Sequence, residues 1–97
     1  MRVNWVIEAK KKYYETLDYW DRHNGSFDYS FKIIQAVETL EDELAEAPYF
    51  LAKYSEQMDL YRKYFLNKRF IVYYKVYEEL GVIEIRDFRS CYQEPLF

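Results

Sequence analysis

Glycine, proline, cysteine and histidine are all scarce: the 97 residues include two glycines, two prolines, one cysteine and one histidine. So few chain breakers point to regular elements joined by short loops and exclude a Gly/Ser-rich or Pro-rich linker. The lone cysteine, Cys91, excludes an intrachain disulfide and suits a reducing cytoplasm. One histidine and one cysteine cannot supply a zinc site of the usual kind, and no cofactor is expected. No apolar run approaches the ~18–20 residues of a membrane span, so no membrane association is expected. The start, "MRVNWVIEAK", has neither a long apolar segment nor a small-residue cleavage site and reads as a strand rather than a signal peptide. A P-loop, a Gly-rich nucleotide fingerprint and a Ser/His/Asp pattern are also missing.

Aromatic residues are abundant. They make up 22% of the chain, with twelve tyrosines, and half of all residues are apolar. That is enough to build the core of one small domain, residues 1–97, and argues against disorder. The formal net charge is −3, but it is unevenly spread. Residues 1–58 hold 7 basic and 11 acidic side chains, with acids concentrated in "ETLEDELAE". Residues 59–97 hold 7 basic and 6 acidic ones, and Arg62 to Tyr77 carries five basic residues and no acid. A mild global charge with opposed patches permits an anionic partner at one face. The same five residues would also serve to keep an ordinary sheet face hydrated.

Residues 2–7 alternate and contain valine, tryptophan and isoleucine, which predicts a strand. From Glu8 the spacing of Ala9, Tyr13, Leu17 and Trp20 becomes helical and continues to near His23. "HNGS" then makes a turn, with Gly25 free to adopt positive φ. Ser26 or Asp28 is placed to cap a second helix. Its stripe runs Ser30, Ile33, Ile34, Val37, Leu40, Leu44, Ala47, and Pro48 ends it. "YFLAKYSEQM" reads as a connecting loop. Three strand-like segments follow at 59–66, 70–77 and 82–88, separated by "LNKR" and "EELG". The expected fold is α+β in the order β-α-α-β-β-β, a helical hairpin packed on one face of a mainly antiparallel four-stranded sheet.

These residues resemble the RelE/ParE toxins of bacterial type II toxin–antitoxin systems over nearly the whole chain. "VNWVIEA" is similar to the family's first strand and the start of its first helix. "LDYWDRHNGSFDYSFKI" is similar to the junction between the two helices, and "LAEAPY" to the end of the second. "YRK" followed by "FIVYYKVYE" resembles the central hairpin, and "VIEIRDFR" the last strand with its Asp-x-Arg ending. The resemblance implies a cytoplasmic bacterial toxin held inactive by a cognate antitoxin. It implies one of two activities: cleavage of ribosome-bound mRNA by a metal-independent endoribonuclease, or non-enzymatic inhibition of DNA gyrase. An inactive, antitoxin-binding relative is a third reading.

RNA cleavage by the neighbouring 2′-hydroxyl requires that hydroxyl to be oriented and deprotonated, and the extra phosphate charge to be stabilised. In RelE-like toxins this falls to basic residues on the open sheet face. Alternation in the central strand assigns Phe70, Val72, Tyr74 and Val76 to the core, and Arg69, Ile71, Tyr73, Lys75 and Tyr77 to the other row, on the open face. By the resemblance, Arg62, Arg89 and Tyr92 are the candidate catalytic residues. Lys63, Tyr64, Arg69, Tyr73, Lys75 and Arg86 are the candidate RNA contacts. Tyr64 and Ile71 stand where RelE-like enzymes carry basic residues, and "SCYQEP" replaces the ending usual after the Asp-x-Arg.

Overall fold

The computed structural model describes residues 1–97. Strand β1 (Arg2–Trp5) leads through Val6 into helix α1 (Ile7–Asn24). Gly25 ends that helix at φ 62°, a left-handed conformation that costs glycine no Cβ clash. Helix α2 (Asp28–Glu46) follows after three residues, so the two helices pack as an antiparallel hairpin. Neither Ser26 nor Asp28 caps α2 with its side chain; the cap position falls to Phe27. Ser30 turns inward instead, and its hydroxyl donates to the Leu17 carbonyl at 3.1 Å and to the Asp21 carboxylate.

Strands β2 (Lys53–Ser55), β3 (Leu60–Phe65), β4 (Phe70–Tyr77) and β5 (Val82–Ser90) complete the chain. A single 3₁₀ turn at Glu78–Leu80 and Gly81 at φ 64° join β4 to β5. The sheet order is β1-β5-β4-β3-β2. β2 to β5 form an antiparallel run, and β1 joins β5 in parallel. The α+β class, the element order and the helical hairpin on one sheet face are as the sequence leads one to expect. The fifth strand, β2, lies within the segment read as a loop. It is only three residues long and pairs with the start of β3, so its alternation is too brief to register as a pattern.

The core lies between the helices and one sheet face. Ala9 and Tyr13 of α1 and Ile33, Val37, Leu40 and Leu44 of α2 meet Phe70, Val72, Tyr74, Ile83, Ile85 and Phe88. Each large side chain buried here contributes about 1.5–3 kcal/mol. The polar end of Tyr74 is satisfied too, because its hydroxyl donates to the Pro48 carbonyl at 2.6 Å. Burial pushes the Tyr74 phenol pKa well above its ordinary value, so it remains a neutral donor. No helix is long and apolar enough to cross a membrane.

Candidate functional site

The sheet face turned away from the helices is built by a change of parity in β5. Ile83 and Ile85 point into the core, so strict alternation would send Asp87 and Arg89 inward as well. Tyr73 pairs with Asp87 while Tyr74 pairs with Ile85, leaving Arg86 as the extra residue of a β-bulge. Beyond the bulge Phe88 occupies the core row and Arg89 emerges on the open face opposite Ile71. The apolar sequence Ile83, Ile85, Phe88 already carries this switch from even to odd spacing.

Across β4, Arg62 pairs with Tyr73 and Tyr64 with Ile71. The open face therefore carries Lys53 from β2, Arg62 and Tyr64 from β3, Ile71, Tyr73 and Lys75 from β4, and Arg89 from β5. Arg62 and Arg89 stand on opposite sides of β4, two strand spacings across the sheet and two residues along it, about 12 Å apart at the backbone. The guanidinium of Arg62 lies 5.5 Å from the Tyr64 ring centre and 5.3 Å from that of Phe97, and forms no ion pair. Lys53, the β2 partner of Arg62, is exposed and likewise forms no ion pair, whereas the remaining cations here are engaged. Lys75 reaches Asp59 at 3.0 Å, and Arg86 pairs with Glu84 and donates to the Tyr77 hydroxyl at 3.0 Å. The Asp59 carboxyl pKa is held below its ordinary value by hydrogen bonds from Tyr54 and Lys75. The Tyr54 phenol pKa is correspondingly pushed up to about 12, chiefly by that hydrogen bond to Asp59.

Arg89 is held by Asp87, which receives the Arg89 Nε at 2.7 Å, the Lys12 Nζ at 2.6 Å and the Phe88 amide at 2.9 Å. Lys12 reaches it from α1 because β1 covers β5 only as far as Ile85, leaving the edge beyond open. Burial pushes the Asp87 pKa up, but the hydrogen bonds from Lys12, Arg89 and the Phe88 amide prevail and hold it below the ordinary carboxylate value. Asp87 is thus a fixed anion that orients Arg89, not a poised base.

The chain's last residues cross the same face. Arg89 Nη1 donates to the Glu94 carbonyl at 2.8 Å. Leu96 and Phe97 pack on Leu60, Ile71 and Tyr73, leaving Ile71 only 2% exposed. The apolar strip between the two arginines is therefore covered by the protein itself.

Three expected contacts lie elsewhere. Lys63 shares the Val72 row and points toward the helices, 4% exposed, with its Nζ 3.1 Å from the Glu43 carboxylate and no hydrogen bond. Strand alternation forbids it from joining its neighbours Arg62 and Tyr64 on the open face. Arg69 precedes β4 and turns to α2, where its Nη1 donates to the Tyr29 hydroxyl at 3.3 Å. Tyr92 follows β5 and lines a groove on the helix side together with Arg69. Both lie outside the strands, where alternation no longer governs direction. Sequence reasoning passed over Lys12, Asp87, Leu96 and Phe97. The Asp-x-Arg spacing signals Asp87, because residues two apart on a strand share a face.

Comparison of the chain with protein-family models, with curated proteins and with solved structures gives no match.

Proposed function

We propose that this chain is a toxin of the RelE/ParE type that acts on translated mRNA through the open face of its sheet. The observation that carries this reading is the placement of two guanidiniums, Arg62 without a carboxylate partner and Arg89 fixed by Asp87, on either side of β4. Two arginines so spaced can engage consecutive phosphates of a single strand, and the half-exposed Tyr64 beside Arg62 offers a ring on which a base can stack. In cleavage the 2′-hydroxyl attacks its own phosphate, the P–O5′ bond breaks, and the arginines stabilise the charge that accumulates. The face offers no histidine, and Asp59 and Asp87 are already paired; the 2′-hydroxyl proton passes to water or to a group of the ribosome, and the departing O5′ takes a proton from the same source. A cognate antitoxin would act by covering this face.

One observation favours a second reading, a non-enzymatic inhibitor that binds gyrase. The centre of the face is apolar, the partly exposed Leu96 and Phe97 lying over Ile71 and Tyr73, which suits a protein surface better than a phosphate. Induced expression in a bacterium, with pulse labelling of protein and DNA synthesis and mapping of mRNA 5′ ends, separates the two. New cuts inside translated codons, lost in the Arg62→Ala/Arg89→Ala double variant, are expected. Arrest of DNA synthesis with intact mRNA would establish the gyrase reading instead. Toxicity unchanged in the double variant would remove the proposed site.

A further inference from the structure

A groove of about 640 Å³ lies on the helix side at the end of the sheet, separate from the open face. Its volume falls in the range that encloses a small organic ligand. Trp20 and Tyr29 form one wall, edge to face with ring centres 4.7 Å apart. Tyr92, 85% exposed, stands at the rim. Arg69 brings a guanidinium that has no carboxylate partner and is steadied by the Tyr29 hydroxyl. The Cys91 amide donates to the Arg69 carbonyl at 2.7 Å, which ties the segment bearing Tyr92 to the Arg69 side. Glu15 supplies an acceptor from α1. Lys12 also lines the groove, but its charge is committed to Asp87.

We propose that this groove binds a nucleoside monophosphate whose base carries an exocyclic amine. Three features select that chemistry together. Aromatic walls take a planar ring, the unpaired guanidinium takes a phosphate, and the carboxylate of Glu15 accepts from an amine on the base. A phosphate alone leaves the rings and Glu15 unused, and an apolar ring alone leaves Arg69 and Glu15 unpaired. Uracil, with no exocyclic amine, is the disfavoured base.

The test is an NMR titration that follows the two indole N–H signals, because Trp20 lines the groove while Trp5 stacks on Tyr13 within the helix–sheet contact. Adenosine 5′-monophosphate is expected to shift the Trp20 signal saturably and leave that of Trp5 in place. Adenosine and uridine 5′-monophosphate bind at least about fivefold more weakly, and inorganic phosphate produces no shift of the Trp20 signal. Tyr92→Ala and Arg69→Ala, both at exposed positions, each weaken binding by about fivefold or more while the remaining spectrum stays that of the folded protein. Arg62→Ala leaves the affinity unchanged, which separates the groove from the open face. No saturation at millimolar nucleotide would overturn the proposal. So would equal binding of adenosine and its monophosphate, or affinity unaltered in both groove variants.

Discussion

The main-chain N–H of Leu96 donates to the phenolic oxygen of Tyr73 at 2.9 Å, pinning the end of the chain to the centre of the sheet's open face. Tyr73 is completely buried only because Leu96 and Phe97 lie over it. Removal of residues 94–97 uncovers Ile71 and Tyr73 and frees the Arg62 guanidinium from its contact with Phe97. The expected cost is about 2–4 kcal/mol, the burial of two partly exposed apolar side chains, read from urea denaturation. Binding of single-stranded RNA is expected to strengthen, because the face between the two arginines is then open. The milder Tyr73→Phe removes the hydroxyl that accepts from the Leu96 N–H and donates to the Phe97 main-chain oxygen at 3.5 Å, and should cost about 1–2 kcal/mol, with faster hydrogen exchange at the Leu96 amide.

Asp87 makes stability depend on acid in a specific direction. Its folded pKa lies below the unfolded value near ~3.9. Its contribution is therefore fully present above that pH and is lost as pH falls through the folded value. Asp87→Asn should lower stability at neutral pH by about 1–2 kcal/mol, discounted because Lys12 is partly exposed. The variant should also lose part of the acid-limb slope below about pH 4. Urea midpoints measured across pH test both. Arg89, deprived of its orienting anion, should lose function in the same variant even where the fold is retained.

The two rows of β4 were legible because the strand runs for eight residues and strand geometry sends successive side chains to opposite faces, even though both rows are buried from Phe70 to Tyr74. Both helices announced themselves for the same reason: Ala9 with Tyr13, and Ile33 with Val37, repeat over several turns. What alternation alone could not yield was the reversal at Arg86, since one inserted residue exchanges every later side chain between faces. Arg69 and Tyr92 were misplaced because they belong to connections, whose directions follow from turn geometry and not from period. Lys63 was readable: with Arg62 and Tyr64 on one face, the residue between them belongs to the other.

Lys63 offers a separate test because it holds a buried amine against a half-exposed carboxylate. Desolvation of such a charge offsets most of the attraction. Lys63→Met keeps the length and packing of the side chain and should change stability by about 1 kcal/mol or less, in either direction. Glu43→Gln leaves the amine buried without an anion and should cost about 1–3 kcal/mol. Neither variant should alter RNA affinity at the open face. Thermal or urea denaturation beside an RNA-binding assay decides both points.

The β3–β4 hairpin turns through Leu66, Asn67 and Lys68, all at positive φ of 51–62°. Asparagine tolerates this region, whereas leucine and lysine adopt it against the clash of Cβ with the backbone. Leu66 packs against the core and compensates. Lys68 is exposed and has no such contact. Lys68→Gly should therefore stabilise the fold by about 0.5–1 kcal/mol, the strain relieved less the added entropy of the unfolded chain. A lower urea midpoint for this variant would show that Lys68 makes a compensating interaction.

Salt dependence tests the two-arginine face most directly. Each phosphate neutralised on a single strand releases counterions and adds about 0.7 to the slope of log affinity against log salt. If Arg62 and Arg89 each neutralise one phosphate, Arg62→Ala and Arg89→Ala should each reduce the slope by about 0.7, and the double variant by about 1.4. Lys75→Ala and Arg86→Ala should change it much less, because Asp59 and Glu84 each neutralise one of those cations, whereas Asp87 is shared between Arg89 and Lys12. Asp59→Ala, which releases Lys75, should raise it. The titration needs only a short unstructured oligonucleotide and the folded protein. A slope equally sensitive to all four basic residues would describe a diffuse patch and displace the paired site.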